Sequence, residues 1–300
     1  MNDNILHVMA RTKIFFIAIL FSFCFACSKT KTSESKPLLL VSIAPYQFLT
    51  ERIAGKDFVV QSVAPLGADP HTYEPTSGQV VAIGKGTLWF TMGEPFEKKI
   101  LTVLHTRNPE MSVVDLRRGI PLLEDPSFCC AHHSATDRHD RHFWLSPKTA
   151  SLQTEIIAQA LSEKFPERRE DFLANATQLQ KELHELDLEI AALLAPVKDR
   201  VLLVSHPAFG YFCHDYALTQ LSVEFEGKEP RPKHLEAVLA EAIAKHAEVA
   251  LALPQHNNKG AQLIAGKLHV PVRMINPYSS DYFATMRLLA RIIADPQYQP

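Results

Sequence analysis

The sequence predicts an α/β protein of two lobes, each a mostly parallel sheet flanked by helices, joined by one long rigid helix. Three observations carry this reading. From residue 37 onward, short apolar or β-branched runs alternate with helix-like stretches, the pattern of parallel sheets covered on both faces. The alternation occurs twice, once on each side of the middle of the chain. Between the halves, Pro166 and Pro196 bracket a stretch in which Phe172, Ala176, Leu179, Leu183, Leu186, Ile190 and Leu193 recur at helical spacing.

The elements follow in order. Arg11 and Lys13 precede an uncharged run, residues 14–26, which reads as the apolar part of a secretory signal. As a helix that run spans roughly 20 Å, short for a bilayer core of about 30 Å. Ala26 before Cys27 is similar to a bacterial lipoprotein processing site, although Cys24 and Phe25 depart from the usual residues there. The segment 1–26 is therefore expected to be removed, by lipoprotein processing with a lipid on Cys27 or by ordinary cleavage. A lipid would tether the chain to a membrane face. Residues 27–36 are then a polar, flexible tether.

The N-terminal lobe is expected over 37–165. PLLLVSI (37–43), DFVVQSV (57–63), GTLWFTM (86–92) and MSVVDL (111–116) are its strand-like runs. PYQFLTERIAG (45–55) reads as a helix ending at Gly55, and 146–165 as a helix with Ser146 at its N-cap and Pro147 in its first turn. The connecting helix is expected over 166–196. The C-terminal lobe, 197–300, carries RVLLVS (200–205), LSVEF (221–225), EVALAL (248–253) and VPVRMI (270–275) as strands, with helices over 234–247 and 259–269.

Composition narrows the function classes. The 31 Lys and Arg nearly balance the 33 Asp and Glu, and no basic patch interleaved with aromatics points to nucleic acid. Past Cys27 the cysteines are Cys129, Cys130 and Cys213. An adjacent pair makes a poor structural disulfide, and export without a disulfide framework suits a bacterial envelope.

Histidines carry the chemistry. Ligands in open α/β sheets bind beyond the carboxyl ends of strands. His71 lies in LGADPHTYEPT after DFVVQSV, His206 follows RVLLVS directly, and His142 lies in RHFWLSP before a capped helix. Each sits near an aromatic, Tyr73, Phe209 and Trp144 respectively. One such residue is as easily a hydrogen-bonded loop histidine. Three in equivalent places suit a metal ion, zinc above all.

At these motifs the chain resembles the solute-binding proteins of bacterial zinc and manganese ABC transporters. LGADPHTYEPT, RHFWLSP and SHPAFGYF match the family's ligand motifs, and VEFEGKEPRPKHLEAV a further stretch, with Arg231 in place of a small residue. The resemblance runs from about residue 38 to 290. It implies metal bound in a cleft between two lobes by His71, His142 and His206, and delivery to a membrane permease by a monomer at the periplasmic face. Two positions depart from the family. Arg141 replaces a proline, and the acidic fourth ligand is matched by Asn276, a poorer zinc ligand than a carboxylate. Asp281 is near but out of register with the motif. Water is the other candidate for the fourth position.

His132, His133 and His139 belong to a short His-rich insertion like those of zinc transporters, either an auxiliary metal-capture loop or a solvated polar loop. In the family a histidine at the position of His206 goes with zinc more often than manganese, so Zn2+ is the expected ion and Mn2+ or Fe2+ the alternatives. An enzyme is not expected. There is no HExxH motif, since Leu188 breaks the one that His184 and Glu185 begin, and Glu74 is the sole obvious base near His71. No sequence feature supports a surface adhesin.

Overall fold

The chain builds one sheet topology twice. In the computed structural model, which describes residues 36–124, 139–224 and 230–299, β1 (Leu38–Val41), β2 (Val59–Ser62), β3 (Leu88–Thr91) and β4 (Ser112–Asp115) form a parallel sheet in the order β2-β1-β3-β4. β5 (Val201–Val204), β6 (Thr219–Ser222), β7 (Val249–Ala252) and β8 (Val272–Met274) repeat it as β6-β5-β7-β8. In each, the strand order turns back at the first strand, which leaves a crevice beyond its carboxyl end. The expectations for the signal segment, Cys27, Cys129, Cys130, His132 and His133 lie outside the described residues.

The strands are short and apolar because both faces are covered. β3, β5 and β7 are buried at every position. Around the first sheet lie α1 (Ala44–Ala54), α2 (Ser77–Ile83), α3 (Pro95–Arg107) and α4 (Pro147–Lys164); around the second, α6 (Gly210–Asp215), α7 (Pro232–Ala244), α8 (Lys259–Leu268) and α9 (Tyr282–Ala294). Ser146 caps α4 as the sequence indicates, accepting from Thr149 N at 3.1 Å. The strand expected at 221–225 starts two residues earlier, at Thr219, because the ladder with β5 pairs Val201 with Thr219 and Val204 with Ser222. Helices α2, α3, α6 and α9 were not among the sequence expectations. Among the described residues no helix is long and apolar enough to cross a membrane.

The connecting helix α5 (Arg169–Leu194) runs 26 residues, with a short 3-10 turn at each end. At about 1.5 Å per residue it is about 39 Å long. Its stripe from Phe172 to Ile190 is buried as expected, but the last member is Leu194, 1% exposed, while Leu193 is 40% exposed. A strict 3-4 alternation averages 3.5 residues per turn. The helix turns every 3.6, so the buried face drifts until the next residue takes over. Both ends of the molecule brace this helix. Arg52 of α1 grips Glu182 with two 2.8 Å bonds, Arg287 of α9 grips Glu189, and Tyr216 donates to Asp187 at 2.8 Å.

The lobes also meet directly. One hydrophobic core runs from the first sheet through Phe143 and Trp144 to Tyr278, Tyr282 and the helix α9. Trp144, fully buried, donates from Nε1 to Pro277 O at 3.0 Å, and Tyr282 donates to Trp144 O at 2.8 Å. A second, smaller core fills the outer side of the C-terminal sheet.

The stripe sets an expectation for stability. Leu183→Ala removes a fully buried side chain and should cost about 2–5 kcal/mol. Leu188→Ala, on the 56%-exposed side of the same helix, should stay within about 0.5 kcal/mol of wild type. Urea unfolding of the two variants would reveal whether the helix is braced on this one face.

Candidate metal centre

Each of the three histidines stands where a strand end or a side-chain-locked turn places it. His71 lies in the loop after β2. Asp69 folds that loop by accepting from His71 N at 2.9 Å and from the Thr72 hydroxyl at 3.0 Å. His142 is held by a similar turn, with Asp140 Oδ1 accepting its backbone N–H at 2.8 Å. His206 follows β5 by two residues, at the carboxyl end of the second sheet.

The rings share one orientation rule. His71 Nδ1 meets Glu94 at 3.0 Å, His142 Nδ1 meets Asp140 at 2.8 Å, and His206 Nδ1 meets Glu224 at 2.8 Å. A carboxylate accepts, so in each neutral ring Nδ1 carries the hydrogen and Nε2 presents a lone pair. The Nε2 atoms converge: His71 to His142 is 3.1 Å, and His142 to His206 is 3.2 Å. Lone pairs aimed at one another can be satisfied by a shared proton or by a metal ion between them. Tetrahedral zinc with nitrogens at about 2.0–2.1 Å separates its ligands by about 3.3 Å, which these spacings approach. Tyr278 brings its hydroxyl to 3.4 Å from His71 Nε2, beside this point.

The surroundings are buried and negative. The side chains of Glu94, Asp140 and Glu224 are 0%, 5% and 16% exposed, and the buried Glu94 Oε1 has no hydrogen-bond partner among the described residues. Arg141 adds positive charge near Glu94 and donates from Nε to Gly93 O at 3.1 Å. Burial pulls the His71 pKa down, but the charge of Glu94 and its hydrogen bond outweigh this and raise it above its ordinary 6.5. Burial opposes ionisation of Glu94 as well, yet His71 holds its carboxyl below the usual value. His206 goes the other way. Burial, then the neighbouring His142 and His71, push it well below the usual histidine value, so it stays neutral. Glu97, buried behind Glu94, caps the turn by accepting from Met92, Gly93 and Glu94 N–H groups, and burial raises it to about 7.

The chain matches, over residues 39–295, the family described as zinc-uptake complex component A, periplasmic. The chain belongs to this family. A putative metal-binding protein of Chlamydia trachomatis serovar D is 32% identical over 279 residues, covering 92% of this chain and 98% of its own length. A crystal structure of ZnuA superposes with a TM-score of 0.80 at 30% identity, covering 86% of this chain and 98% of that one. A 138-173 deletion mutant of ZnuA with zinc bound superposes at 0.79 and 31% identity, covering 88% and 99%. The two-lobed, helix-linked fold of the zinc-uptake components is thus the fold of this chain.

Against the sequence expectations for this zinc-uptake family member, the structure brings His71, His142 and His206 together. Asn276 does not turn its oxygen to them. That atom accepts from Gln255 Nε2 at 2.9 Å and from Tyr278 N at 3.1 Å, so its lone pairs are taken and it fixes Tyr278 instead. Asp281 caps α9 by accepting from Ala284 N at 3.0 Å. Glu74 is exposed and bound to Lys99 at 2.5 Å, and the carboxylate that turns His71 is Glu94. Of the aromatics, Trp144 lies against His142, whereas Tyr73 packs on Phe96. His139 lines the cleft, a cavity of about 590 Å3 bounded also by His71, His142 and His206. Sequence reasoning missed Glu94, Glu224, Tyr278 and His256. The available signal was position, since Glu94 and Glu224 each follow a strand of the crevice within three residues.

Two expectations follow from this geometry. A Cβ on Gly210 would collide with Asp140 Oδ2, so Gly210→Ala should loosen His142 and weaken metal binding about 10–100-fold, with the fold intact by circular dichroism. The proton on His71 and a metal ion compete for the same nitrogen. Because Glu94 raises the His71 pKa, affinity should fall as pH falls, beginning above pH 6.5, with His206 adding nothing until more acidic pH. In the metal-free protein the same pair stabilises the fold below pH 6.5, and that contribution fades as pH rises through the raised value. Metal titrations from about pH 8 to about pH 5.5 would contradict this if affinity stayed level.

Proposed function

We propose that this member of the zinc-uptake family binds Zn2+ through His71, His142 and His206 and hands it to the membrane permease of an ABC transporter. The observation that carries the reading is the convergence of the three Nε2 atoms, each turned inward by a carboxylate on its own Nδ1. The donor set is imidazole, and the acids stand behind the rings, which favours zinc over manganese. The carboxylates of Glu94, Asp140 and Glu224 behind the rings also supply a local negative charge that a dication offsets. The fourth position opens beside the Tyr278 hydroxyl and is completed by water. A role in binding rather than turnover is supported by Glu94, Asp140 and Glu224, which, among the described residues, each engage a ring of the centre. The site of action is extracytoplasmic, after removal of residues 1–26, with Cys27 as the anchoring residue where lipid is attached.

Elemental analysis of protein purified without chelators, followed by competitive titration with zinc and manganese, tests the reading. Zinc should be found and should displace manganese; bound manganese or iron would overturn the choice of ion. His71→Ala, His142→Ala and His206→Ala should each cost more than the about 10–100-fold typical of an outer-shell partner. His133→Ala should leave tight binding in place, and a loss equal to the other three would move the site into the loop.

A further inference from the structure

The turn that carries His142 also carries a cation. Arg141 stands between Asp140 and His142, half-buried, on the wall of the cavity that His71, His142 and His206 bound. The backbone on both sides of it is pinned. Asp140 N donates to Leu123 O at 2.9 Å, His142 N donates to Asp140 Oδ1 at 2.8 Å, and His142 O accepts from Leu145 N at 3.0 Å. From this fixed base the Arg141 side chain reaches the loop after β3, where its Nε donates to Gly93 O at 3.1 Å. Glu94 is the next residue, and its carboxylate meets His71 Nδ1 at 3.0 Å. The guanidinium is therefore held between the turn of His142 and the carboxylate that orients His71.

The hydrogen bond by itself does not require an arginine. The amide nitrogen of a glutamine stands as many bonds from Cα as the arginine Nε, and it can donate to the same carbonyl. Charge is what arginine adds, and a guanidinium stays protonated in proteins, so the charge is permanent. The turn does not depend on the side chain either, because Asp140 closes it. The charge acts on the centre: behind the larger effects of burial and of the two groups on each other, Arg141 lowers the pKa of both His71 and Glu94. A positive charge that disfavours a proton on His71 also disfavours a dication there. Glu94, Asp140 and Glu224 draw a metal ion in, and Arg141 opposes them.

We propose that Arg141 sets the affinity of the three-histidine centre from outside its ligand shell: its fixed positive charge, held between the turns of His142 and Glu94, weakens the grip on a divalent ion and speeds its departure. A carrier that must hand its ion on has a use for such a charge, since tight ligands alone would make release slow. The inference rests on the three-histidine reading above.

The test titrates the mature chain with zinc against a chromophoric chelator and follows zinc dissociation by stopped flow. Arg141→Gln removes the charge and keeps a donor for Gly93 O. Arg141→Lys keeps the charge and gives up the Nε donor. Arg141→Gln should bind zinc about tenfold tighter than wild type and release it more slowly, while Arg141→Lys should stay near wild type. The gap between Arg141→Gln and wild type should narrow from about 0.01 M to about 0.15 M salt, as the Debye length falls from about 30 Å to about 8 Å. Circular dichroism confirms that each variant is folded. A merely structural Arg141 gives the opposite sign, weaker binding by Arg141→Gln. That result, an unchanged affinity, or a lysine variant as tight as the glutamine one overturns the proposal. His71→Ala, titrated alongside, separates the two readings. Its binding as tightly as wild type would defeat the three-histidine centre and this inference with it; its loss of affinity without tightening by Arg141→Gln would defeat the role of Arg141 alone.

Discussion

The bond between each imidazole Nδ1 and its carboxylate is the constraint on which the cleft depends. Without Glu94, Asp140 and Glu224, the rings of His71, His142 and His206 would each have a free χ2 and either nitrogen to present. With them, one tautomer is selected and Nε2 faces inward. The rest of the structure can be understood as what brings these three pairs to one point. Two pairs take their acids from strand ends, Glu94 after β3 and Glu224 after β6. The third is built within a single turn, where Asp140 holds both the backbone and the ring of His142.

Because the pairs come from different lobes, their spacing is set by how the lobes are held. A hinge of crossing strands would leave that spacing soft. Here α5 is clamped by Arg52 from one lobe and by Arg287 and Tyr216 from the other. The buried Trp144 links the turn of His142 to Pro277 and Tyr282 of the second lobe. The same contacts seat Tyr278 beside His71, with Asn276 folding the backbone beneath it. Rigidity of this kind suits a site whose three Nε2 atoms already point at one another, since little else has to move on binding.

The electrostatics follow from the same arrangement. Glu94 raises the His71 pKa and is itself lowered, because each favours the charged form of the other. His206, deeper and flanked by other imidazoles, is kept neutral. Protons and metal therefore compete for His71 at higher pH than they do for His206. The family of zinc-uptake components supplies the transport setting; the proton competition is a property of these particular residues.

Much of this was legible in the sequence because it rests on local patterns. Alternating apolar runs gave the parallel sheets, the 3-4 stripe gave the long helix, and the His71, His142 and His206 motifs marked three rings that the fold brings together. The stripe misplaced one residue, Leu193 for Leu194, because helical drift accumulates beyond what a repeat pattern records. What the sequence could not rank was which acids serve which histidines. Glu74 is near His71 in the chain, yet Glu94 is its partner in space, because parallel strands place their carboxyl ends together whatever the loop lengths between them. Asn276, matched to the fourth position by motif, has its oxygen taken by Gln255 and the Tyr278 backbone, a contact chain order does not reveal. Chain order determines which residues can be ligands, and the crossing of two sheets at one crevice determines which of them meet.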